Sequence, residues 1–416
     1  MFYVIESNLF SSKDRKRRAV VQLKKYENTF DLLKSTLSGE DSLHSEYSES
    51  AIISTDADWK EQFEFFRNHA ITPLVSGLSQ YVQDNNIKKA WRESAYSNIY
   101  TYFNLVKRQK HILDALKESS IPVVVVKGTS AAKYYPSPQL RTMGDIDLLV
   151  RPEDYENAVV CLMGVGCVEI TSKAEAEAGR HRSFRYNDVS IELHHYFSLV
   201  SDKDKAAALD NMLFDAILPN STELPEMENG LVLLSHIRQH LEGGLGLRQI
   251  IDWLMFVRAC LDDEMWYSSF QEKAKITGLE KLAITVTRMC QIYLGLTTDI
   301  TWCKDADEAV CEDLMQYVMD CGNFGRSRDL FQSGSLSKVP SFKQPIKLLK
   351  YIQFHGEHNW KVIKKHPWLK PFAWVYQSCR YIKMAFKNKV GAKQIKGIYN
   401  EGQKRNEMFV ALGIKG

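Results

Sequence analysis

Residues 141–150 read RTMGDIDLLV. The apolar end, Leu148-Leu149-Val150, belongs in a buried sheet, yet two carboxylates, Asp145 and Asp147, stand one residue apart at its entrance. Side chains alternate faces along a strand, so Asp145, Asp147 and Leu149 point one way and Ile146, Leu148 and Val150 the other. The two acids therefore share a face. Same-face neighbours on a strand are roughly 6–7 Å apart, near enough for both carboxylates to converge on one divalent cation. Without a cation they repel, and at least one pKa must rise.

The segments on either side predict the sheet that this strand joins. Upstream, IPVVVVKG (121–128) is a β-branched run without helical spacing that ends in glycine, the pattern of a buried strand. A short helix (TSAAKYY) and a two-proline turn (PSPQ) lead into the acidic strand, and Pro152 opens a helix after it. CVEITS, RSFRYN and VSIELHHYF supply three more strand candidates, which makes a mixed sheet of four or five strands flanked by helices. In VSIELHH, Ile191 and Leu193 face the core while Glu192 turns with Ser190 and His194. Three carboxylates meet if this strand lies beside DIDLLV. The turn Lys127-Gly128-Thr129-Ser130 runs from strand into helix, so its backbone N–H groups and dipole offer a place for phosphate, with Lys127 and Arg141 as cationic partners.

Helical spacing governs the rest. Apolar residues recur at three and four from residue 14 to about 117, interrupted by a polar, acidic stretch that ends near Asp58, and again from about 205 onward. The later helices fall near 228–242, 246–262, 264–274, 277–294 and 306–320. The expected architecture is α+β, with a helical region at 1–117, a small α/β core at 118–200, a helical domain at 201–340 and a basic, aromatic region at 341–416. That last region carries 16 Lys/Arg against 3 Asp/Glu, whereas residues 1–340 carry 38 against 48, so the net charge of +3 hides a basic tail. With 44% hydrophobic and 25% charged residues the chain is an ordinary globular one. No apolar run is long enough to span a bilayer and the first residues lack the order of a secretory signal, so a cytoplasmic location is expected. The eight cysteines include no C-x-x-C pair, which argues against a zinc ribbon or a disulfide scaffold.

The order strand, Gly-Thr/Ser, helix, Asp-x-Asp strand and a later strand with one more acid resembles the nucleotidyltransferase fold of the polymerase β-like superfamily. VVVVKGTSAAKYYPSPQLRTMGDIDLLVRPEDYENAV is similar in wording to an uncharacterised bacterial nucleotidyltransferase family with a Lys-Gly, a Tyr-Pro-x-x-x-x-Arg stretch and a Gly-Asp-Ile-Asp-Leu-Leu-Val core. Softer likenesses, WKEQFEFFRNHAITPLV, HIRQHLEGGLGLRQIIDWLMF and HPWLKPFAWVY, extend it over most of 58–385. The resemblance implies Mg²⁺, with Mn²⁺ as a substitute, held in a two-metal site by Asp145, Asp147 and Glu192, which are also the catalytic acids. It implies a phosphate turn of Gly128 with Thr129 or Ser130, an NTP donor, expected to be ATP, and a hydroxyl acceptor on a small molecule, glycan or protein. The third acid is Glu where Asp is commoner, which bears on a direct role as base.

Other features carry blander readings beside functional ones. His236 and His240 have the i,i+4 spacing of zinc ligands, but no third ligand is evident, so a packed pair or a supporting His240 is expected. Arg248 can line the site or form a plain i,i+4 ion pair with Asp252, and His194 can support the acids while His195 faces away. The tail's tryptophans and lysines suit an anionic membrane surface, with packing on a helical core the favoured alternative; sequence-specific nucleic acid is not expected. Two further functions stand beside nucleotidyl transfer: a silent nucleotide- or partner-binding module, and transfer of a phospho-linked group to a glycan.

Overall fold

The computed structural model describes residues 23–38, 56–172, 179, 181–198, 202–323, 345–387 and 392–414. The acidic stretch before residue 56, expected as a loop, lies largely outside them. The chain divides into two compact units, Met1–Phe324 with Leu412–Ile414, and Gly325–Ala411 with Lys415–Gly416. The N-terminal helices, the sheet and the helices that follow it thus belong to one unit.

That first unit is α+β. Its strands are β1 (Val124–Val126), β2 (Asp145–Leu149), β3 (Val168–Glu169), β4 (His181–Tyr186) and β5 (Val189–His194), in the order β1-β2-β5-β4-β3. β2 pairs antiparallel with β1 and parallel with β5, which makes the sheet mixed. The register puts Asp147 between Val126 and Glu192. β4 and β5 form a hairpin across Asn187-Asp188, where Asn187 takes φ +54° as a two-residue turn of the primed type requires. Counting outward from that turn sets Ser183 opposite Glu192 and His181 opposite His194.

In chain order the helices of this unit are α1 (Glu27–Ser38), α2 (Asp56–Asn68), α3 (Asn85–Glu118), α4 (Gly128–Ala132), α5 (Tyr155–Gly164), α6 (Lys203–Asp215), α7 (Glu226–Gly243), α8 (Leu247–Cys260), α9 (Glu280–Tyr293) and α10 (Glu308–Cys321). A π turn, Trp266–Phe270, continues into Gln271–Ile276 between α8 and α9. The later helices lie within about three residues of their expected places. The Asp84 carboxylate caps α3 by accepting from the N–H groups of Asn86 and Ile87. Leu105, Ile112 and Leu116 of α3 then pack with Ala158, Val159 and Leu162 of α5 on one sheet face, against Val125, Ile146, Leu148, Ile191 and Leu193. That is the alternation expected of β2 and β5, and it turns the acids to the opposite face. There α7 and α8 come close together at Gly230, where an added Cβ would lie 2.5 Å from the Phe256 ring.

The second unit is helical: α11 (Pro345–Asn359), α12 (Ala373–Lys387) and α13 (Ala392–Ala411). Trp360 stacks on Tyr376 at 4.9 Å, so one of the tail's tryptophans packs. Trp368 and Trp374 remain 70% and 42% exposed. All eight cysteines are free thiols, and no helix among the described residues is long and apolar enough to cross a membrane.

Candidate active site

Neighbouring strands carry the acids side by side. Asp145 and Asp147 lie on β2, Glu192 on β5 directly beside Asp147, and His194 two residues further along the same face. Asp147 is the most enclosed of these. Its Oδ1 accepts from Lys127 Nζ at 2.7 Å and lies 3.0 Å from His194 Nε2, which is itself 3.3 Å from Glu192 Oε2. Burial works against the Asp147 charge, but Lys127 and the hydrogen bond from His194 outweigh it and hold the carboxyl well below the usual range. Lys127 answers in kind: burial disfavours its ammonium, and the pull of Asp147, Glu192 and Asp145 raises its pKa nonetheless.

Asp145 is different. The negative charge of Asp147, then burial, raise its carboxyl to about 6, and Lys127 and Arg248 offset only part of this. Its side chain has no hydrogen-bond or ion-pair partner among the described residues. A half-buried carboxylate without a cation of its own, beside two more carboxylates, fits a hard divalent ion.

The turn ahead of α4 is strained in a telling way. Lys127, the last residue before the helix, sits at φ +58°, and Gly128 at φ +37°. An added Cβ at Gly128 would find only ordinary contacts, 3.8 Å to Met143 Sδ and 3.9 Å to the Asp145 carbonyl. The positive φ therefore explains the glycine, and crowding by the protein does not. Thr129 Oγ1 donates to Gln109 Oε1 of α3 at 2.9 Å, while Ser130 Oγ is buried with no hydrogen-bond partner among the described residues. Ser130 is thus the hydroxyl of the pair left open.

Arg141 does not face an open site. It is 3% exposed and grips Asp252 with Nε to Oδ1 and Nη2 to Oδ2, both 2.7 Å, and Tyr135 donates to the same Oδ1 at 2.8 Å. The Tyr-Pro-x-x-x-x-Arg stretch is here an anchor to α8. Arg248, one turn before Asp252, donates from Nη1 to the Thr142 carbonyl at 3.1 Å and leaves Nε buried without a partner. Burial, then the neighbouring Arg141 charge, lower its pKa, while Asp252 and Asp145 draw it back.

His236 and His240 meet each other, Nε2 to Nε2 at 3.0 Å. Burial is the leading cause that drives both down, His240 to about 4, with Lys127 and Arg248 adding to it, so the pair is neutral near pH 7. No third ligand joins them among the described residues. His195 turns away, its Nε2 2.8 Å from the Gly179 carbonyl and its ring against Tyr155. The group that sequence patterns alone missed is His181: with Glu192 and His194 it offers three ligand atoms all within 4.8 Å of one another. The hairpin count from Asn187-Asp188 could have placed it there.

No curated protein and no solved structure matches the chain. Over residues 55–295, more than half of its length and including the whole sheet, it matches the family described as uncharacterised nucleotidyltransferase. The chain, with its paired acids beside the Lys-Gly turn, belongs to that uncharacterised nucleotidyltransferase family.

Proposed function

We propose that this protein transfers a nucleoside monophosphate from an NTP, with ATP as the donor, to a hydroxyl of a small molecule, glycan or protein in the cytoplasm. The observation that carries this is Asp145: a half-buried carboxylate with no protein partner, raised to about 6 chiefly by Asp147, on the strand next to Glu192. Asp145 and Asp147 would hold Mg²⁺, or Mn²⁺ in its place, which when bound supplies the charge that phosphoryl transfer needs.

The chain's own groups then have separable tasks. Gly128, Thr129 and Ser130 begin α4, and a helix start leaves its first N–H groups without intrahelical partners. Those N–H groups and the open Ser130 hydroxyl receive phosphate oxygens. Lys127 fixes the Asp147 carboxylate and offsets its charge. Arg248 leans toward the Asp145 side, and Arg141 holds α8 in place through Asp252. In the reaction the acceptor oxygen forms a bond to the α-phosphorus, the bond from that phosphorus to the bridging oxygen breaks, and pyrophosphate leaves. The acceptor's proton passes to Glu192, which His194 steadies at 3.3 Å.

A silent binding module has no use for an unpaired carboxylate held against Asp147, and transfer of a phospho-linked group to a glycan would need a different donor. Incubation with each labelled NTP, Mg²⁺ and cell extract decides among the three. Label should move to an acceptor with one nucleotide preferred, and Asp145→Asn with Asp147→Asn should slow it by roughly a hundredfold or more. Transfer at the normal rate by that variant would sink the assignment.

A further inference from the structure

The sheet face that carries the acids extends past them. Across β5 and β4 it continues through Ser183 and Glu192, paired in register, to His181 and His194, paired in register. The His181 and His194 rings lie 4.9 Å apart, and together with the Glu192 carboxylate they place one ligand atom each within 4.8 Å of the others.

From this we infer a second metal site, His181–Glu192–His194, for a borderline divalent transition ion of the zinc type. The argument rests on donor chemistry. Two imidazoles and one carboxylate suit zinc and its neighbours in the first transition row, whereas Mg²⁺ prefers oxygen donors throughout. Ligand atoms around a tetrahedral zinc stand roughly 3.3–3.5 Å apart, given Zn–N and Zn–O bonds of about 2.0–2.2 Å. Atoms within 4.8 Å of one another stand little more than about 1 Å from that spacing.

His194 turns Nε2 toward Glu192, 3.3 Å from Oε2, so that ring nitrogen is the one an ion between the three side chains would take. The Glu192 side chain is 29% exposed, so the site has an approach from solvent. The inference does not depend on nucleotidyl transfer. An ion held here would engage Glu192, so it and the proton transfer assigned to Glu192 exclude each other, while Asp145 and Asp147 stay open to the ion that accompanies the nucleotide.

Zinc titration of the chelator-stripped full chain, followed by calorimetry with no nucleotide present, tests this directly. The wild type should bind one equivalent, a large excess of Mg²⁺ should not displace it, and Asp145→Asn should bind as well as the wild type. His181→Ala should weaken binding at least as much as loss of a supporting group around a metal usually does, roughly ten- to a hundredfold. Absence of saturable binding, or equal affinity in His181→Ala, overturns the site. Should His181→Ala fail to fold, Co²⁺ bound to the wild type answers instead: visible absorption of low-coordinate cobalt, abolished by one equivalent of Zn²⁺, supports the site, and its absence overturns it. Failure of the labelled-NTP assay would leave every one of these readings unchanged.

Discussion

Two charged clusters, one buried and one partly open, sit on neighbouring elements of the first unit, and they are built to opposite plans. Around Arg141 the charges close on themselves: both Asp252 oxygens are gripped by one guanidinium, and Tyr135 adds a third hydrogen bond. Around Asp145 they do not: three carboxylates face Lys127, and Asp145, Ser130 Oγ, His194 Nδ1 and Arg248 Nε are left without partners among the described residues. Holding a half-buried carboxylate against the Asp147 charge with no cation of its own works against the fold, and a ligand that brings a cation relieves it. The closed cluster serves the scaffold, and the open one serves a ligand.

The largest expected effect sets the two against each other. Arg141→Met leaves Asp252 buried without its cation and should cost about 3–5 kcal/mol of stability. Asp145→Asn at pH 7.5 removes a charge that Asp147 repels and should instead raise stability, by about 1–2 kcal/mol. Urea denaturation of both variants without divalent cations gives the two signs directly. If Asp145→Asn destabilises as Arg141→Met does, the second cluster is no more open than the first.

A smaller effect concerns what anchors α8, which carries both Arg248 and Asp252. The N–H of Leu247, the first residue of that helix, donates to His69 Nδ1 at 3.1 Å. Burial pushes His69 down from 6.5 to about 4, so the ring is neutral in the fold. A group whose folded pKa is depressed favours the fold above its unfolded value and loses that contribution as pH falls toward the folded one. Stability from His69 is therefore complete above about pH 6.5 and should drop by about 2 kcal/mol by pH 5. Urea midpoints of wild type and His69→Gln across this range provide the check: the variant's acid limb should be flatter by that amount, and parallel curves would show that His69 does not titrate against the fold.

How much of this was legible in the sequence follows from which interactions are local. The alternation of Asp145, Ile146, Asp147 and Leu148 predicted a strand with an acidic face and VSIELHH another, but the parallel pairing of β2 with β5 that sets Glu192 beside Asp147 is non-local and stood in the sequence only as a condition. The family likeness marked the same residues. Arg141 could not be read this way, because its partner is 111 residues away on α8. Sequence spacing offered Arg248 as the i,i+4 partner of Asp252, but tertiary packing gave that acid to Arg141 and sent Arg248 to the Thr142 carbonyl. His181 was hidden for a simpler reason: a histidine at a strand start has no pattern of its own until the register is counted.

The smallest effect lies at the turn where the two clusters' elements meet the sheet. Gly128 and Gly144 flank β2's approach to the site, and an added Cβ meets no close neighbour at either. They differ in backbone: Gly128 has φ +37°, whereas Gly144 is not in the left-handed range. Gly128→Ala should thus cost about 1 kcal/mol through φ alone, and Gly144→Ala only a few tenths. Nucleotide affinity separates the scaffold's need from the ligand's. If the backbone of Gly128 approaches phosphate, Gly128→Ala lowers NTP affinity in calorimetry by more than its loss of stability accounts for, while Gly144→Ala leaves affinity as it was. Equal affinity in both variants would reduce Gly128 to a turn residue and move the phosphate contact to Ser130, whose buried hydroxyl is the open donor two residues further into α4.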